Sequence, residues 1–238
     1  MRRKGPRRGR ARGPVVAIVA AAGAGRRAAL DQPKQFATAG GRTLLEIAVS
    51  SLEEHPAVDA IVVVAPSRWV RRSAALLARH AKVAAVVAGG ARRQDSVRRG
   101  LEAAPARGAA VILVHDAARP LPPRAVVGAV IREARRSGAA VPGMAPADTV
   151  KEVGRGGLVE RTIPRDRLRL IQTPQGFEAG RLRLAYRAAA VEGLDATDDA
   201  SIVEAAGYPV KVVEGSPLNF KVTTAEDVDR VRAILRSE

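Results

Sequence analysis

The chain contains no cysteine. That excludes disulfides, zinc–thiolate centres, thiolate-held clusters and cysteine nucleophiles, and it suits a reducing, cytoplasmic setting. No apolar run reaches the ~18 residues of a spanning helix, so no membrane partner is expected. The N-terminus is basic, but no apolar stretch lies within it, so it does not read as a secretory signal. Aromatic residues make up only 3% of the chain. A binder of single-stranded nucleic acid uses such residues as stacking platforms, so the body of the chain is not expected to be one. There is no G-x-S-x-G elbow and no histidine cluster at metal-ligand spacing, so a protein nucleophile is not indicated.

What is present is a globular composition, 47% apolar and 27% charged over 238 residues. This length suits one large domain or at most two small ones. The formal net charge is +16. Residues 1–14 carry Arg2, Arg3, Lys4, Arg7, Arg8, Arg10 and Arg12 with no acid, so +7 belongs to them and +9 to residues 15–238. Residues 1–14 read as a basic disordered tail ahead of one domain over 15–238. The remaining excess favours anionic partners such as phosphates and nucleotides, with nucleic acid expected only through the tail.

Apolar β-prone runs at Val15–Val19, Ile61–Val64, Val83–Val87 and Val111–Val114 read as strands of a mostly parallel sheet, the first two as buried ones. Between them lie helical patterns. One opens at Thr43, with Glu46 three residues on as a capping box. Others open at Ser67, beyond Gly89-Gly90 with Val97, Leu101 and Ala104 inward, and after Pro122-Pro123. Ala139–Val141 returns to the sheet, and residues about 146–172 break the rhythm as a β-hairpin-like arm. Helices near 181–191 and 197–206, a strand at 210–213 and a last helix from Thr224 complete the chain. Alternating strands and helices imply an α/β fold, a mostly parallel twisted sheet with helices on both faces.

In such sheets ligands bind beyond the carboxyl ends of the strands. Ala21-Ala22-Gly23-Ala24-Gly25-Arg26-Arg27 follows the first strand, and its glycines let exposed N–H groups approach a phosphate. It lacks the third glycine of a hydride-cofactor loop and the G-K-[ST] of a Walker loop. Lys34, seven residues after Arg27, adds a cation that could reach the same polyphosphate. His115-Asp116-Ala117-Ala118-Arg119-Pro120 follows the fourth strand. There an acid can hold a divalent metal, and Arg119 can pair with a phosphate or with that acid.

Taken together, eight blocks in order resemble the 2-C-methyl-D-erythritol 4-phosphate cytidylyltransferase family. They are A-A-G-x-G-x-R at 21–27, P-K-Q-F at 33–36, G-G-A-x-R-Q-D-S-V at 89–97 and V-H-D-A-A-R-P at 114–120. D-T-V-K at 148–151, T-P-Q-G-F at 173–177, T-D-D-A-S at 197–201 and N-x-K-V-T at 219–223 complete the set. The first two belong to nucleotidyltransferases widely, and the later ones point to this branch. The resemblance implies a Rossmann-like nucleotidyltransferase fold, a homodimer, Mg²⁺ and CTP. The implied reaction joins CMP to the phosphate of methylerythritol phosphate and releases pyrophosphate, in the non-mevalonate route to isoprenoids.

By the same resemblance Arg27, Lys34 and Lys221 would act on the phosphates. Ala21, Ala22, Gly23 and Gly25 would line the triphosphate, and Gly89, Gly90, Asp95 and Ser96 would surround the cytosine. Asp116 would help to hold the metal-bound nucleotide, and Arg119 would contact substrate or support Asp116. Thr149 and Arg165, with Arg167 close by as an alternative, would reach a neighbouring subunit's sugar-phosphate site from the arm. Thr173 and Thr197 would position that substrate. Two other readings stay open: a cytidylyltransferase for another sugar phosphate such as ribitol 5-phosphate, and a basic nucleic-acid-binding protein.

Overall fold

The computed structural model describes residues 13–23 and 33–237. The expected tail is outside the described residues up to position 12. Gly13 and Pro14 are already tied in, with the Pro14 carbonyl accepting from the N–H groups of Ala110 and Val111 at 2.8 and 3.2 Å.

In chain order the elements are β1 (Val15–Ala20), a 3₁₀ turn (Lys34–Phe36), β2 (Thr38–Ala39), β3 (Arg42–Thr43) and α1 (Leu44–Glu53). Next come β4 (Ala60–Ala65), α2 (Val70–Leu76) after a 3₁₀ turn at Ser67–Trp69, β5 (Val83–Ala88), α3 (Arg93–Glu102) and α4 (Ala104–Arg107). Then follow β6 (Val111–Asp116), α5 (Arg124–Ser137), β7 (Ala139–Met144), β8 (Val150–Val153), β9 (Val159–Ile163), β10 (Leu170–Ile171) and β11 (Gln175–Glu178). The chain closes with α6 (Ala179–Glu192), α7 (Asp199–Ala205), β12 (Lys211–Glu214) and α8 (Ala225–Arg236).

The main sheet runs β10-β7-β11-β6-β1-β4-β5, with β12 also paired to β7. The β6, β1, β4 and β5 strands are parallel neighbours, and β12 is parallel to β7. The expected parallel sheet is therefore present, but β11 is wedged antiparallel between β6 and β7. Its sequence, Gln-Gly-Phe-Glu, carries one apolar residue and no strand pattern, so pairing with two neighbours makes it a strand.

Side chains alternate along β1, and each face has its own core. Val15, Ala17 and Val19 pack with Leu45 and Val49 of α1 and Val127 and Ile131 of α5. Val16 and Ile18 pack with Val97 and Leu101 of α3 and Leu182 and Ala185 of α6. A third cluster joins Leu44 and Ile47 of α1 to Val228 and Val231 of α8. Two capping boxes set helix starts: Thr43 with Glu46, and Thr224 with Asp227.

Three boundaries differ from the sequence reading. Pairing with β1 carries β6 through His115 and Asp116, so these lie on the strand and not after it. The helix expected to include Val97, Leu101 and Ala104 ends at Glu102, and α4 starts separately at Ala104. Ser67 opens a 3₁₀ turn, and the α-helix begins only at Val70. The arm is present as the β8–β9 hairpin, Val150 opposite Ile163, with Leu158 75% exposed at its turn. Among the described residues no helix is long and apolar enough to cross a membrane.

Candidate active site

A cavity of about 740 Å³ opens at the carboxyl ends of β1 and β6. Residues far apart in sequence converge there: Ala21–Gly23, Lys34, Gly90–Arg93, Ser96, Asp116 and Lys221.

The first wall continues β1. The Ala21 N–H still donates to the Val64 carbonyl at 2.8 Å. Gln35, buried in the 3₁₀ turn, donates its amide to the carbonyls of Ala21 at 2.5 Å and Gly23 at 3.3 Å. Phe36 beside it is 1% exposed and stacks on Trp69 with ring centroids 4.3 Å apart. This aromatic anchor sets the turn, and the turn presents Lys34, whose Nζ donates to the Val222 carbonyl at 3.1 Å.

The second wall is the Gly89-Gly90 loop. A Cβ on Gly89 would lie 2.3 Å from the Ala22 Cβ, so only glycine lets the two loops approach. Ser96 accepts from the Gly90 N–H and donates to the Arg92 carbonyl, both at 3.1 Å. Asp95 accepts from the Arg92 N–H at 3.2 Å and from its guanidinium at 3.1 Å. Asp95 thus builds the first turn of α3 and is not part of the cavity lining.

Asp116 stands at the end of β6. Its Oδ1 accepts from Arg93 Nε at 3.0 Å and its Oδ2 from Lys221 Nζ at 2.7 Å. Burial pushes its carboxyl up, but Arg93 and Lys221 outweigh that and hold it well below the usual carboxylate range. Its N–H donates to Thr173 Oγ1 at 3.1 Å. His115 is fully buried, its Nε2 2.9 Å from the Arg119 carbonyl and its Nδ1 3.0 Å from Thr173 Oγ1. A carbonyl only accepts, so Nε2 carries the proton and Nδ1 accepts from the threonine hydroxyl. Burial pushes the imidazole down to about 4, which keeps it neutral near pH 7.

The sequence-predicted residues divide into groups. Ala21, Ala22, Gly23, Lys34, Gly90, Ser96, Asp116 and Lys221 meet around the cavity. Gly89, Asp95 and Thr173 support that wall from behind. Arg119 donates to the carbonyls of Asn219 at 2.6 Å and Ile171 at 3.5 Å; the cations on Asp116 are Arg93 and Lys221 instead. Thr149 and Arg165 lie exposed at the arm, with the Arg165 guanidinium on the Ala147 carbonyl. Thr197 is exposed just before α7, its Oγ1 3.5 Å from Ser201 Oγ. Gly25 and Arg27 lie outside the described residues. Sequence reasoning gave no role to Gln35 or Arg93, although both stand inside quoted blocks. The signal for Arg93 was its place as the arginine of G-G-A-x-R.

Among the described residues four basic side chains, Lys34, Arg92, Arg93 and Lys221, line the cavity with one carboxylate, Asp116. Such a charge balance suits a polyphosphate. On this sheet, fold and site define a nucleotidyltransferase. The family model for 2-C-methyl-D-erythritol 4-phosphate cytidylyltransferase matches residues 15–237. The cytidylyltransferase of that name from Nocardia farcinica is 46% identical over 224 residues, 94% of each chain. The crystal structure of the one from Thermus thermophilus matches with TM-score 0.78 at 38% identity, covering 94% of this chain and 99% of that one. The 4-diphosphocytidyl-2C-methyl-D-erythritol synthase structure from Anaerococcus prevotii matches with TM-score 0.84 at 28% identity, again over 94% and 99%. The chain belongs to the 2-C-methyl-D-erythritol 4-phosphate cytidylyltransferase family.

Proposed function

We propose that the chain transfers CMP from CTP to the phosphate of 2-C-methyl-D-erythritol 4-phosphate and releases pyrophosphate, supplying isoprenoid synthesis. The observation that carries this is the convergence of Lys34 and Lys221 with the Ala21–Gly23 backbone on one cavity, in a chain of this family.

The attacking atom is the substrate's own phosphate oxygen, so no serine or cysteine is needed. The difficulty is bringing one anion onto another: unit charges ~4 Å apart interact by roughly 4 kcal/mol at an effective dielectric near 20. Lys34, Lys221 and Arg27 offset that repulsion and stabilise charge growing on the α-phosphate. The Gly89-Gly90 loop, braced by Ser96 and Asp95, holds the base, and this orientation aligns the α-phosphate with its attacker.

Among the described residues no three His, Cys, Asp or Glu side chains form a metal-binding group. Among the described residues one carboxylate lines the cavity, Asp116, and it would hold a Mg²⁺ brought by the triphosphate. When bound, the ion neutralises phosphate charge. Asp116, whose two oxygens take Arg93 and Lys221 here, would be its protein ligand in this reading.

The arm supports a homodimer. Val153, Leu158 and Val159 are 54%, 75% and 57% exposed on the hairpin. Thr149 and Arg165 do not line their own chain's cavity, which suits a role in a neighbouring copy. Thr173 and Thr197 position the sugar phosphate, Thr173 through the Asp116 N–H. The cysteine-free chain suits the cytoplasm.

The test is pyrophosphate release with CTP and Mg²⁺, run in parallel against methylerythritol phosphate and ribitol 5-phosphate. Release with the first alone is expected. Release with the second alone would keep the CTP site and overturn the substrate.

A further inference from the structure

Five polar side chains form one line ending at the cavity. Tyr186 on α6 donates its hydroxyl to Asp199 Oδ1 at 2.5 Å. Asp199 Oδ2, at the start of α7, lies 2.8 Å from Arg93 Nη1. Arg93 Nε, in the first turn of α3, donates to Asp116 Oδ1 at 3.0 Å. The other oxygen of Asp116 takes Lys221 Nζ at 2.7 Å.

The two ends of this line differ. The Asp199 side chain is 0% exposed, and that of Lys221 is 42% exposed in the cavity wall. A carboxylate as buried as Asp199 requires a cation and hydrogen bonds. Arg93 provides the charge and Tyr186 a hydrogen bond, which holds that end. The guanidinium then meets a second carboxylate with a different nitrogen. An arginine fork can hold two carboxylates at set angles, whereas the point charge of a lysine cannot.

We propose that Arg93 is a positioning residue for the transfer reaction: anchored on buried Asp199, it claims one oxygen of Asp116 and turns the other toward Lys221 and the cavity. The proposal rests on the cytidylyltransferase reading above. Without Arg93, Asp116 can rotate about its side-chain bonds, and Lys221 loses the fixed oxygen that places its ammonium. Arg93 itself transfers nothing. The line also couples the base-holding helix α3 to α7, which starts within the T-D-D-A-S block.

The experiment compares R93A, R93K and D199N in the full chain. It measures kcat and KM for both substrates by pyrophosphate release, with and without added guanidinium, and thermal melts beside them. R93A is expected to lose about 100-fold in kcat, the scale of a 1 Å misplacement, with KM for CTP little changed. Guanidinium should restore much of the kcat of R93A, and R93K should recover little. D199N should lose kcat less than R93A, because Arg93 still meets Asp116 but lacks its anchor. A loss confined to KM, a wild-type kcat in the folded variants, or no response to guanidinium would overturn the proposal. If R93A does not fold, unaltered kcat in both R93K and D199N overturns it. Failure of the underlying reading is separate: the wild-type chain itself would then release no pyrophosphate.

Discussion

Gly100→Ala sets two effects of opposite sign against each other. Gly100 lies inside α3, where alanine is ordinarily better than glycine by about 1 kcal/mol. Its added Cβ would lie 2.6 Å from Ile18 Cγ2 and 3.1 Å from Val64 Cγ2. The first distance is roughly 1 Å short of the ~3.5–4.0 Å carbon contact. Ile18 cannot yield easily, being β-branched, 0% exposed and on β1 between β6 and β4. Overpacking of this kind costs about 1–3 kcal/mol, and so rigid a neighbour places it near the upper end. The net loss is then about 2 kcal/mol, which lowers Tm by about 4–8 °C in a chain of this size. Relief comes from α3 moving off the sheet. That helix carries Arg93 and Ser96 into the cavity, so kcat should fall toward the ~100-fold that a 1 Å misplacement costs. Calorimetry and pyrophosphate release on one preparation test both halves. A Tm at or above wild type would refute the packing argument. A lowered Tm with wild-type kcat would refute the claim that α3 transmits its position to the site.

Other changes separate chemistry from folding. Lys34→Ala and Lys221→Ala should each cut kcat by about 10²–10³-fold, as for a lost donor aimed at transition-state charge, and cut turnover far more than they weaken folding in thermal melts; near-normal turnover in both would remove their assigned roles. His115→Leu takes the acceptor from the Thr173 hydroxyl and the donor from the Arg119 carbonyl. It should cost about 1–3 kcal/mol for each buried group left unpaired, read by urea unfolding, and an unchanged midpoint would contradict the network. If the proposed homodimer forms through the arm, Leu158→Asp with Val159→Asp, which places two charges on the exposed hairpin, should turn it into a monomer in sedimentation; a wild-type monomer, or a dimer that survives both changes, would refute that interface.

Much of the fold was legible because its signals are local. Strands covered on both faces read as unbroken apolar runs, and β1, β4 and β6 stand where such runs occur; β5, the half-covered edge strand, carries a similar run. Thr43 with Glu46 and Thr224 with Asp227 lie within one turn of each other, so both capping boxes were visible. The antiparallel β11 was not, because its four residues hold no alternation and its pairing comes from β6 and β7.

The site divides the same way. Ordered blocks in the sequence picked out loops that meet at the cavity, since backbone approach to a phosphate needs glycines and cations within a few residues. Tertiary structure alone decided where each cation points. Arg119 follows Asp116 closely, and its sequence position left open a contact to substrate or a support for Asp116; its guanidinium turns to the Asn219 carbonyl 100 residues on. Arg93, 23 residues before Asp116, supplies the charge instead and bridges to Asp199. A guanidinium goes to the acceptors that folding buries beside it, because a buried carbonyl or carboxylate left unpaired costs more than a surface ion pair gains. Spacing along the chain carries no record of which acceptors those are.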